Sequence, residues 1–492
     1  MKTQRGFCLL FGLMMIISSC KTTQALKSPT PPLSLSQKID VLIQSYDPAA
    51  HVGIQIVSLK DKKILYERNE NTMFIPGSTA KIYTLAAALH YLGPSYRFET
   101  EGYIEERNGH RAKNIYLKGS GDPSLSASDL LKIATVLKQY GIREITGDIV
   151  IDNTAFDSVS RGKGWMWDDL DRGFAAPITA LNVDYNRLVV FVSPGDKEGD
   201  KVKVNYEPYS HFVKAEVLAT TGKANSKNTL AFDVGANPDP HGLNLHQTIR
   251  LTGSVPKNAA RDYTSFSIKD PSAYAGYLFK EALSSLHIPF KGSIRQGKTP
   301  ENAQFFTRVL SRPLSEAVVD FGKISNNNGT ETLLKTIGLK TKGAPGTFDS
   351  GLVAVRSFLS DTAKVKLKGF SLSDGSGLST YNKTSAAQMN QLLGYMWGNF
   401  RIGSEFVSSL PIAGEDGTLP KRWKDSALKS GVRAKTGTMQ SVNSIAGYFS
   451  DPAGEVYSFA ILVNGFSTGA AACRQLSHDI LSLFYNEPQE QK

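Results

Sequence analysis

Alternating apolar and polar positions predict a β-hairpin near the start of the chain. Residues 51–59 place an apolar side chain at every second position, which is the period of a strand with one buried face. The polar stretch 60–63 then turns the chain into a second short alternating segment at 64–67. We therefore expect two antiparallel strands here.

A helical pattern follows this hairpin. It begins after Pro76-Gly77-Ser78 and ends before Gly93, a residue type that commonly terminates helices. Four apolar residues follow the i, i+3, i+4, i+7 spacing of one helix face: Ile82, Leu85, Ala86 and Leu89. Ser78 is thus predicted to lie at the start of a helix that packs by one face.

The rest of the chain changes character twice. Residues 95–307 contain many short apolar or alternating segments separated by Gly, Asn and Pro, which predicts a large β-rich insertion of one or two modules, with two subdomains favoured. Beyond it, 308–492 continues the domain begun by 38–94. Helical patterning returns at 314–324, 330–337, 350–359 and 384–397, followed by a hairpin at 444–449 and 455–464 and a final helix. The predicted fold class is α/β (α+β).

The N-terminus has the pattern of an export signal. Lys2 and Arg5 precede an apolar run at 6–17, which is too short to span a bilayer but suits the apolar region of a signal peptide. The run ends in Ile17-Ser18-Ser19-Cys20, which resembles a bacterial lipobox. An ordinary signal peptide with an incidental cysteine is the alternative interpretation.

The lipobox interpretation predicts where the protein is held. Residues 1–19 would be a lipoprotein signal peptide, Cys20 would carry the lipid, and residues 20–37, rich in Pro, Ser and Thr, would be a tether. The protein would then lie in the periplasm or cell envelope, held to a membrane by its N-terminal lipid. By analogy with other bacterial lipoproteins, Lys21 favours the outer membrane over the inner.

Composition adds little to this picture. The chain has 492 residues, 41% hydrophobic content and a formal net charge of +11, which suits a soluble globular protein of two or three domains. The charge alone does not choose between nucleic acid, an anionic membrane and an acidic polymer. With Cys8 in the signal and Cys20 acylated, Cys473 has no partner for a disulfide, and its Ala-rich surroundings predict a small buried residue.

Three short motifs carry the candidate chemistry. Ser78-x-x-Lys81 places an amine one helical turn from a hydroxyl, and a serine needs such a base to become a nucleophile. The spacing is not specific, because Ser160, Ser254 and Ser426 also precede a lysine by three positions. Ser-x-Asn occurs at Ser325/Asn327, and also at Ser226 and Ser441, whereas Lys435-Thr436-Gly437 occurs once. The case for Ser78 therefore depends on the order and setting of the motifs.

Other motifs are poorly placed. Gly465-x-Ser467-x-Gly469 has nucleophile-elbow spacing, but too little chain follows to supply the acid and histidine of an α/β-hydrolase. Residues 292–299 fit the Walker spacing without a clear buried strand before them or a helix after them, so a strand and turn is predicted there. The eight histidines show no metal-ligand spacing.

The motifs in their order resemble the signature of penicillin-recognising serine enzymes. The long insertion between Lys81 and Ser325 is similar to that of class C low-molecular-mass penicillin-binding proteins, the D-alanyl-D-alanine carboxypeptidase/endopeptidase family. Five further segments also resemble this family: 119–125, 147–152, 164–169, 374–379 and 414–419. The resemblance implies a transpeptidase-like domain, with an antiparallel sheet flanked by helices, a helical subdomain and a β-rich insertion.

The resemblance also implies roles for individual residues. Ser78 would be the nucleophile, Lys81 its base and Ser325 a proton relay, while Asn327 would hold the substrate amide. Lys435, Thr436, Gly437 and Thr438 would form the strand that binds the substrate. Asp169 on the insertion would hold the free amine of a diaminopimelate side chain, and Phe174 and Gln440 match other residues of that pocket. An arginine often found in relatives is replaced by Thr380.

The implied ligands are peptidoglycan stem peptides as substrates and β-lactams as inhibitors, with no cofactor, metal or nucleic acid. The resemblance leaves open the oligomeric state and the balance between carboxypeptidase and endopeptidase activity. Two alternatives are a serine β-lactamase and a non-catalytic peptidoglycan-binding lipoprotein. The size of the insertion argues against a β-lactamase. The second alternative is disfavoured because all five core residues of the site are present, namely Ser78, Lys81, Ser325, Asn327 and Lys435.

Overall fold

The computed structural model describes residues 33–237 and 246–486. The predicted signal peptide, Cys20 and most of the predicted tether lie outside these residues. Within the described part of the chain, no helix is both long and apolar enough to cross a membrane.

The first elements form the predicted hairpin and helix. They are α1 (Leu35–Tyr46), β1 (His51–Ser58), β2 (Ile64–Arg68) and α2 (Lys81–Leu92). Helix α1 was not predicted and begins inside the segment 20–37 assigned to the tether; Ser34 and Gln37 form a capping box at its start. Before α2, a single 3-10 turn at Gly77–Ala80 contains Ser78.

The inserted segment then contributes fourteen strands and two helices among its described residues. In chain order these are β3 (Glu99–Asn108), β4 (Arg111–Gly119), α3 (Ala127–Gln139), β5 (Glu144–Ile145), β6 (Ile149–Asp152), β7 (Arg187–Ser193), β8 (Lys203–Glu207), β9 (Val213–Val217), β10 (Thr220–Gly222), β11 (Ala231–Asn237), β12 (His246–Thr252), β13 (Ser254–Pro256), β14 (Asp262–Ser267), α4 (Pro271–Ser285), β15 (Ile294–Gln296) and β16 (Gln304–Leu310).

The chain then returns to the first domain and completes it. The remaining elements are α5 (Leu314–Lys323), α6 (Asn327–Lys342), α7 (Phe348–Ser357), α8 (Ala386–Trp397), α9 (Gly403–Ser408), β17 (Val432–Met439), β18 (Val442–Ser450), β19 (Val456–Asn464) and α10 (Ala470–Asn486). The four predicted helical segments correspond to α5, α6, α7 and α8, and the predicted hairpin to β18 and β19.

A five-stranded antiparallel sheet joins the two ends of the chain. Its order is β17-β18-β19-β1-β2, so the N-terminal hairpin pairs with the last strand. Successive side chains of a strand point to opposite faces. Ile445 and Ile461 therefore face a core formed with α1 and α10, whereas Ala446 and Leu462 face the core of helices α2, α5, α6, α7 and α8.

The insertion has its own core and returns to its starting point. Its largest sheet has the order β15-β6-β4-β3-β16, with β5 beside β4, and α3 and α4 pack in the same core. The β-rich character was predicted, but these two helices were not. Because β3 leaves the first domain and the antiparallel neighbour β16 returns to it, the insertion starts and ends side by side.

Candidate active site

A tight turn presents Ser78 at the edge of the central sheet. Gly77 has φ +54°, a left-handed conformation that favours glycine, and Thr79 is buried with its hydroxyl donating to the Pro76 carbonyl at 2.8 Å. Ser78 itself remains half-buried. The turn continues directly into α2, so Lys81 follows Ser78 within one turn, as predicted.

The Lys81 amine has three oxygen neighbours. Its Nζ lies 3.0 Å from Ser78 Oγ, 2.6 Å from Asn327 Oδ1 and 2.7 Å from the Ser376 carbonyl oxygen. The orientation of the Asn327 amide is fixed from its other side, because its Nδ2 donates to the Phe174 carbonyl at 2.9 Å. Asn327 therefore turns an acceptor, and not a donor, toward Lys81.

This arrangement suits a neutral amine. A neutral lysine has two N–H donors and one lone pair. The Asn327 Oδ1 and the Ser376 carbonyl can only accept hydrogen bonds, so they take the two N–H groups. The lone pair then remains for the Ser78 hydroxyl, which can donate its proton to Lys81.

Burial favours the same protonation state. The Lys81 side chain is fully buried, and loss of solvation lowers the pKa of Lys81 to about 7, against the opposing charges of Asp374 and Glu331. A substantial fraction of the amine is therefore uncharged at neutral pH. The sequence alone did not predict this shift.

Lys435 forms a second buried centre with Ser325. Its Nζ lies 2.9 Å from Ser325 Oγ and 3.0 Å from the Thr436 carbonyl oxygen. Burial and the charge of Lys81 hold the pKa of Lys435 well below its usual range. Ser325 sits between α5 and α6 with φ +59°, a strained conformation for a serine that aims its hydroxyl at Lys435.

Strand β17 closes against the Ser78 turn because Gly437 has no side chain. A Cβ at Gly437 would lie 2.5 Å from the Pro76 carbonyl oxygen and 2.9 Å from the Ser78 nitrogen. The Thr436 hydroxyl is 2.8 Å from that of Thr418. The motif lies on β17, the edge strand of the central sheet, and β17 leads directly into the hairpin of β18 and β19.

The insertion contacts the site through residues 165–174. The Phe174 carbonyl accepts a hydrogen bond from Asn327, and the Trp165 indole donates one to Asp374 at 3.1 Å. Asp169 lies between them on the 3-10 turn Trp167–Asp169, where partial burial raises the pKa of its carboxyl. Among the described residues, neither Asp169 nor Gln440 hydrogen-bonds to the five core residues, so their roles stay predictions.

Three residues at the site were missed by the sequence analysis. Glu331 accepts hydrogen bonds from the loop that contacts Lys81, Asp374 supports the same loop, and Thr418 meets Thr436. Two of them lie in segments 374–379 and 414–419, which had been noted only as resembling the family. Glu331 follows Asn327 by four residues, a helical spacing that could have indicated a shared face.

The competing motifs have other environments. The Ser426 hydroxyl lies 3.1 Å from His478, and the Ser467 hydroxyl donates to Asp47 at 3.2 Å. Residues 292–299 contain the short strand β15, as predicted. Cys473 is buried, as predicted, and burial raises the pKa of its thiol to about 11.

Sequence comparisons agree with this geometry. The model of the D-Ala-D-Ala carboxypeptidase 3 (S13) family matches residues 35–484. The D-alanyl-D-alanine carboxypeptidase of Actinomadura sp. (strain R39) is 37% identical over 452 residues, which cover 88% of this chain and 81% of the relative. The D-alanyl-D-alanine carboxypeptidase DacB of Haemophilus influenzae is 29% identical over 434 residues, or 87% of this chain and 88% of the relative.

Structural comparison gives the same family and confirms the predicted fold class. The crystal structure of penicillin binding protein 4 from Haemophilus influenzae is similar with a TM-score of 0.80 at 26% identity, covering 91% of this chain and 99% of that one. The same protein in complex with a β-lactam gives a TM-score of 0.75 at 25% identity, with the same coverage. The chain belongs to the D-Ala-D-Ala carboxypeptidase 3 (S13) family.

Proposed function

We propose that this chain, a serine-type D-Ala-D-Ala peptidase by its family, cleaves peptidoglycan stem peptides after a D-alanine through an acyl-enzyme on Ser78. The observation that carries this proposal is the environment of Lys81. Two pure acceptors, Asn327 Oδ1 and the Ser376 carbonyl, leave its lone pair for the Ser78 hydroxyl. That is the geometry that a serine nucleophile requires of its base.

Acylation follows from the positions of the groups. Lys81 takes the proton of Ser78, and Oγ forms a bond to the carbonyl carbon of the D-alanine. The oxyanion is stabilised by the backbone N–H groups of Ser78 and Thr438, an effect of about 3 kcal/mol in other enzymes. The proton held by Lys81 then passes by way of Ser325, which lies 2.9 Å from Lys435, to the leaving amine as the C–N bond breaks, so that Lys81 is neutral again. Water then hydrolyses the ester and restores the proton to Ser78.

Substrate recognition is shared between β17 and the insertion. Lys435, Thr436 and Thr438 would bind the terminal carboxylate of a carboxypeptidase substrate, and Asn327 the amide of the peptide. Asp169 would hold the free amine of diaminopimelate, with Phe174 and Gln440 beside it. The same pocket serves an endopeptidase reaction, in which the leaving amine belongs to a cross-linked diaminopimelate.

The N-terminal sequence supports a location for this reaction outside the cytoplasm. An apolar run ending at Cys20 favours export and lipidation, with the catalytic domain in the periplasm and the lipid in the outer membrane. The mass of the mature N-terminal peptide tests this proposal directly. A diacylglyceryl adduct on Cys20 is expected, and an unmodified or differently processed terminus would contradict it.

The nucleophile is tested by replacing Ser78 with alanine. Ser78→Ala is expected to abolish both covalent labelling by a fluorescent penicillin and release of D-alanine from a stem peptide, because the ester cannot form. The matched control is Ser160→Ala, at another Ser-x-x-Lys pair, which should change neither. Persisting label in the Ser78 variant would overturn the assignment.

The β-lactamase alternative predicts a different time course. A β-lactamase must hydrolyse its acyl-enzyme quickly, whereas the proposed peptidase would release the acyl group of a β-lactam slowly. We therefore expect nitrocefin to give about one equivalent of product per active site, followed by slow turnover. Sustained rapid hydrolysis would favour a β-lactamase.

A further inference from the structure

Glu331 is a buried acid on the helix that begins with Asn327. It is fully buried and lies four residues after Asn327 on α6. Its two carboxylate oxygens accept the backbone N–H groups of Gly375, at 2.9 Å, and Ser376, at 2.8 Å. A buried carboxylate is costly without such donors, so this pair of contacts fixes both the acid and the loop.

Asp374 anchors the same loop from its other end. It is also fully buried, and it accepts from the backbone N–H groups of Gly377, at 2.9 Å, and Ser379, at 2.7 Å. The side chains of Asn382 and Trp165 donate to it at 2.7 and 3.1 Å. Two carboxylates thus hold one short loop by four backbone donors.

The loop delivers one carbonyl group to Lys81. The Ser376 carbonyl oxygen lies 2.7 Å from the Lys81 amine, and the Thr84 hydroxyl, one turn further along α2, donates to the Gly375 carbonyl at 2.7 Å. The Ser376 carbonyl is one of the two acceptors that direct the Lys81 lone pair toward Ser78. A shift of this loop would therefore misdirect the base.

The charges around Lys81 act in opposite directions. Burial disfavours its protonated form, while the carboxylates of Asp374 and Glu331 favour it. Lys435 is a second buried amine beside Lys81, and Lys335 lies near Glu331. Burial, together with the charge of Asp374, raises the pKa of Glu331, which favours its uncharged form, so Asp374 is the acid whose negative charge acts on Lys81.

We propose that Glu331 and Asp374 are positioning residues that hold the Ser376 carbonyl against Lys81, and that the negative charge of Asp374 helps to set the pH below which Ser78 is no longer acylated. The proposal rests on the proposed function, in which Lys81 is the base. Neither acid contacts Ser78, and both act through Lys81.

The test is the pH dependence of acylation by a fluorescent penicillin. In the wild-type protein the second-order rate should fall below about pH 7, where Lys81 becomes protonated. Asp374→Asn removes a negative charge, which makes Lys81 harder to protonate. The midpoint of this fall is therefore expected to move to lower pH by about one unit, while the plateau rate drops roughly tenfold because the loop loses an acceptor.

Two variants separate charge from support of the loop. Thr84→Val removes the hydrogen bond to the Gly375 carbonyl without changing any charge, so it should lower the plateau and keep the wild-type midpoint. Glu331→Gln weakens the hold on the loop and removes little charge, so it should likewise lower the plateau and keep the midpoint. Glu316→Gln makes the same chemical change on the exposed surface of α5 and should leave both unchanged. A purely structural role for Asp374 would make Asp374→Asn behave like Thr84→Val.

Asp374→Glu keeps the charge and should keep the midpoint, which separates loss of charge from a change of side chain. If Asp374→Asn fails to fold, a plateau in Glu331→Gln equal to that of Glu316→Gln would overturn the role in holding the loop. An unchanged midpoint in folded Asp374→Asn would overturn the role of its charge, whereas absence of an acid limb near pH 7 in the wild type would overturn the proposed role of Lys81 itself.

Discussion

Lys81 and Lys335 are both fully buried and both feel the charge of Glu331, but their direct contacts differ. Lys335 on α6 forms an ion pair with Asp157 at 2.6 Å, and its amine lies over the rings of Phe156 and Phe348 at 5.2 and 4.8 Å from the ring centres. Each of these partners favours a positive charge. These contacts favour the charged ammonium form of Lys335, which links Asp157 of the insertion to α6.

Lys81 instead contacts only neutral oxygens. The two acids near it, Asp374 and Glu331, reach it through the backbone of the intervening loop. Burial lowers the pKa of both lysines, but only Lys335 has a carboxylate in contact to oppose this effect directly. The comparison shows that direct contact with a carboxylate separates a structural lysine from one that can release and take up a proton.

Replacing each lysine by methionine should give the largest contrast. Lys81→Met removes the base, and acylation by a fluorescent penicillin is expected to fall by about a thousandfold or more. Lys335→Met leaves the partly buried Asp157 carboxylate without its ion-pair partner, so the free energy of unfolding should fall by about 3 kcal/mol. The folded fraction should still acylate within a few-fold of the wild-type rate. Equal loss of labelling in both folded variants would erase the distinction.

Asn327→Asp should make the surroundings of Lys81 resemble those of Lys335. A carboxylate in contact would raise the pKa of Lys81 by one unit or more, so the amine would be protonated at neutral pH. We expect acylation at pH 7 to fall roughly tenfold beyond any loss of the plateau rate, and to recover as the pH is raised. Asn326→Asp is the matched control, because this residue caps α6 and accepts from Gly329, as an aspartate also can. A midpoint that did not rise in Asn327→Asp, or that rose equally in both variants, would contradict the role of the neutral acceptor.

Asp157→Asn should have the smallest effect: it should lower the free energy of unfolding and leave the rate of acylation unchanged. It removes the carboxylate from Lys335 and leaves the ammonium buried with carbonyl and ring partners, at a cost of about 2 kcal/mol. The loss should lessen at high pH, where Lys335 is more readily deprotonated in the folded variant than in the unfolded chain. Thermal unfolding measures it, with Asp425→Asn, at an exposed acid, as the control. A shift in the midpoint of acylation would show that the two lysine sites are coupled.

Much of the fold around the site could be predicted because its segments are strongly periodic. Strand β1 alternates and α2 repeats its apolar face, so the positions of Ser78 and Lys81 followed from local patterns. Helix α3 was missed although its buried residues Leu130, Ile133, Ala134 and Leu137 have helical spacing, because turn residues dominate its surroundings. Helix α4 is buried on most sides, and its pattern is correspondingly weak.

The electrostatics of the site could not be predicted in the same way. Whether Lys81 is neutral depends on burial and on Asp374, which is distant in sequence and meets it only in the folded chain. Similarly, the role of Gly437 depends on the approach of β17 to the Ser78 turn. A sequence pattern records which residue types are present, but their mutual distances depend on the tertiary fold.

The central sheet also constrains when this enzyme can become active. Strand β1 pairs with β19, so His51 lies opposite Asn464, far away in sequence. Similarly, Gly437 can pack against the Ser78 turn only when the last hairpin has joined the sheet. Contacts between residues so distant in sequence form slowly, whereas the insertion has a core of its own. Until the last hairpin pairs with β1, the chain therefore holds a nucleophile and its lysine but lacks the strand against which a substrate could be bound. Assembly of the sheet is in this sense the step that switches the enzyme on.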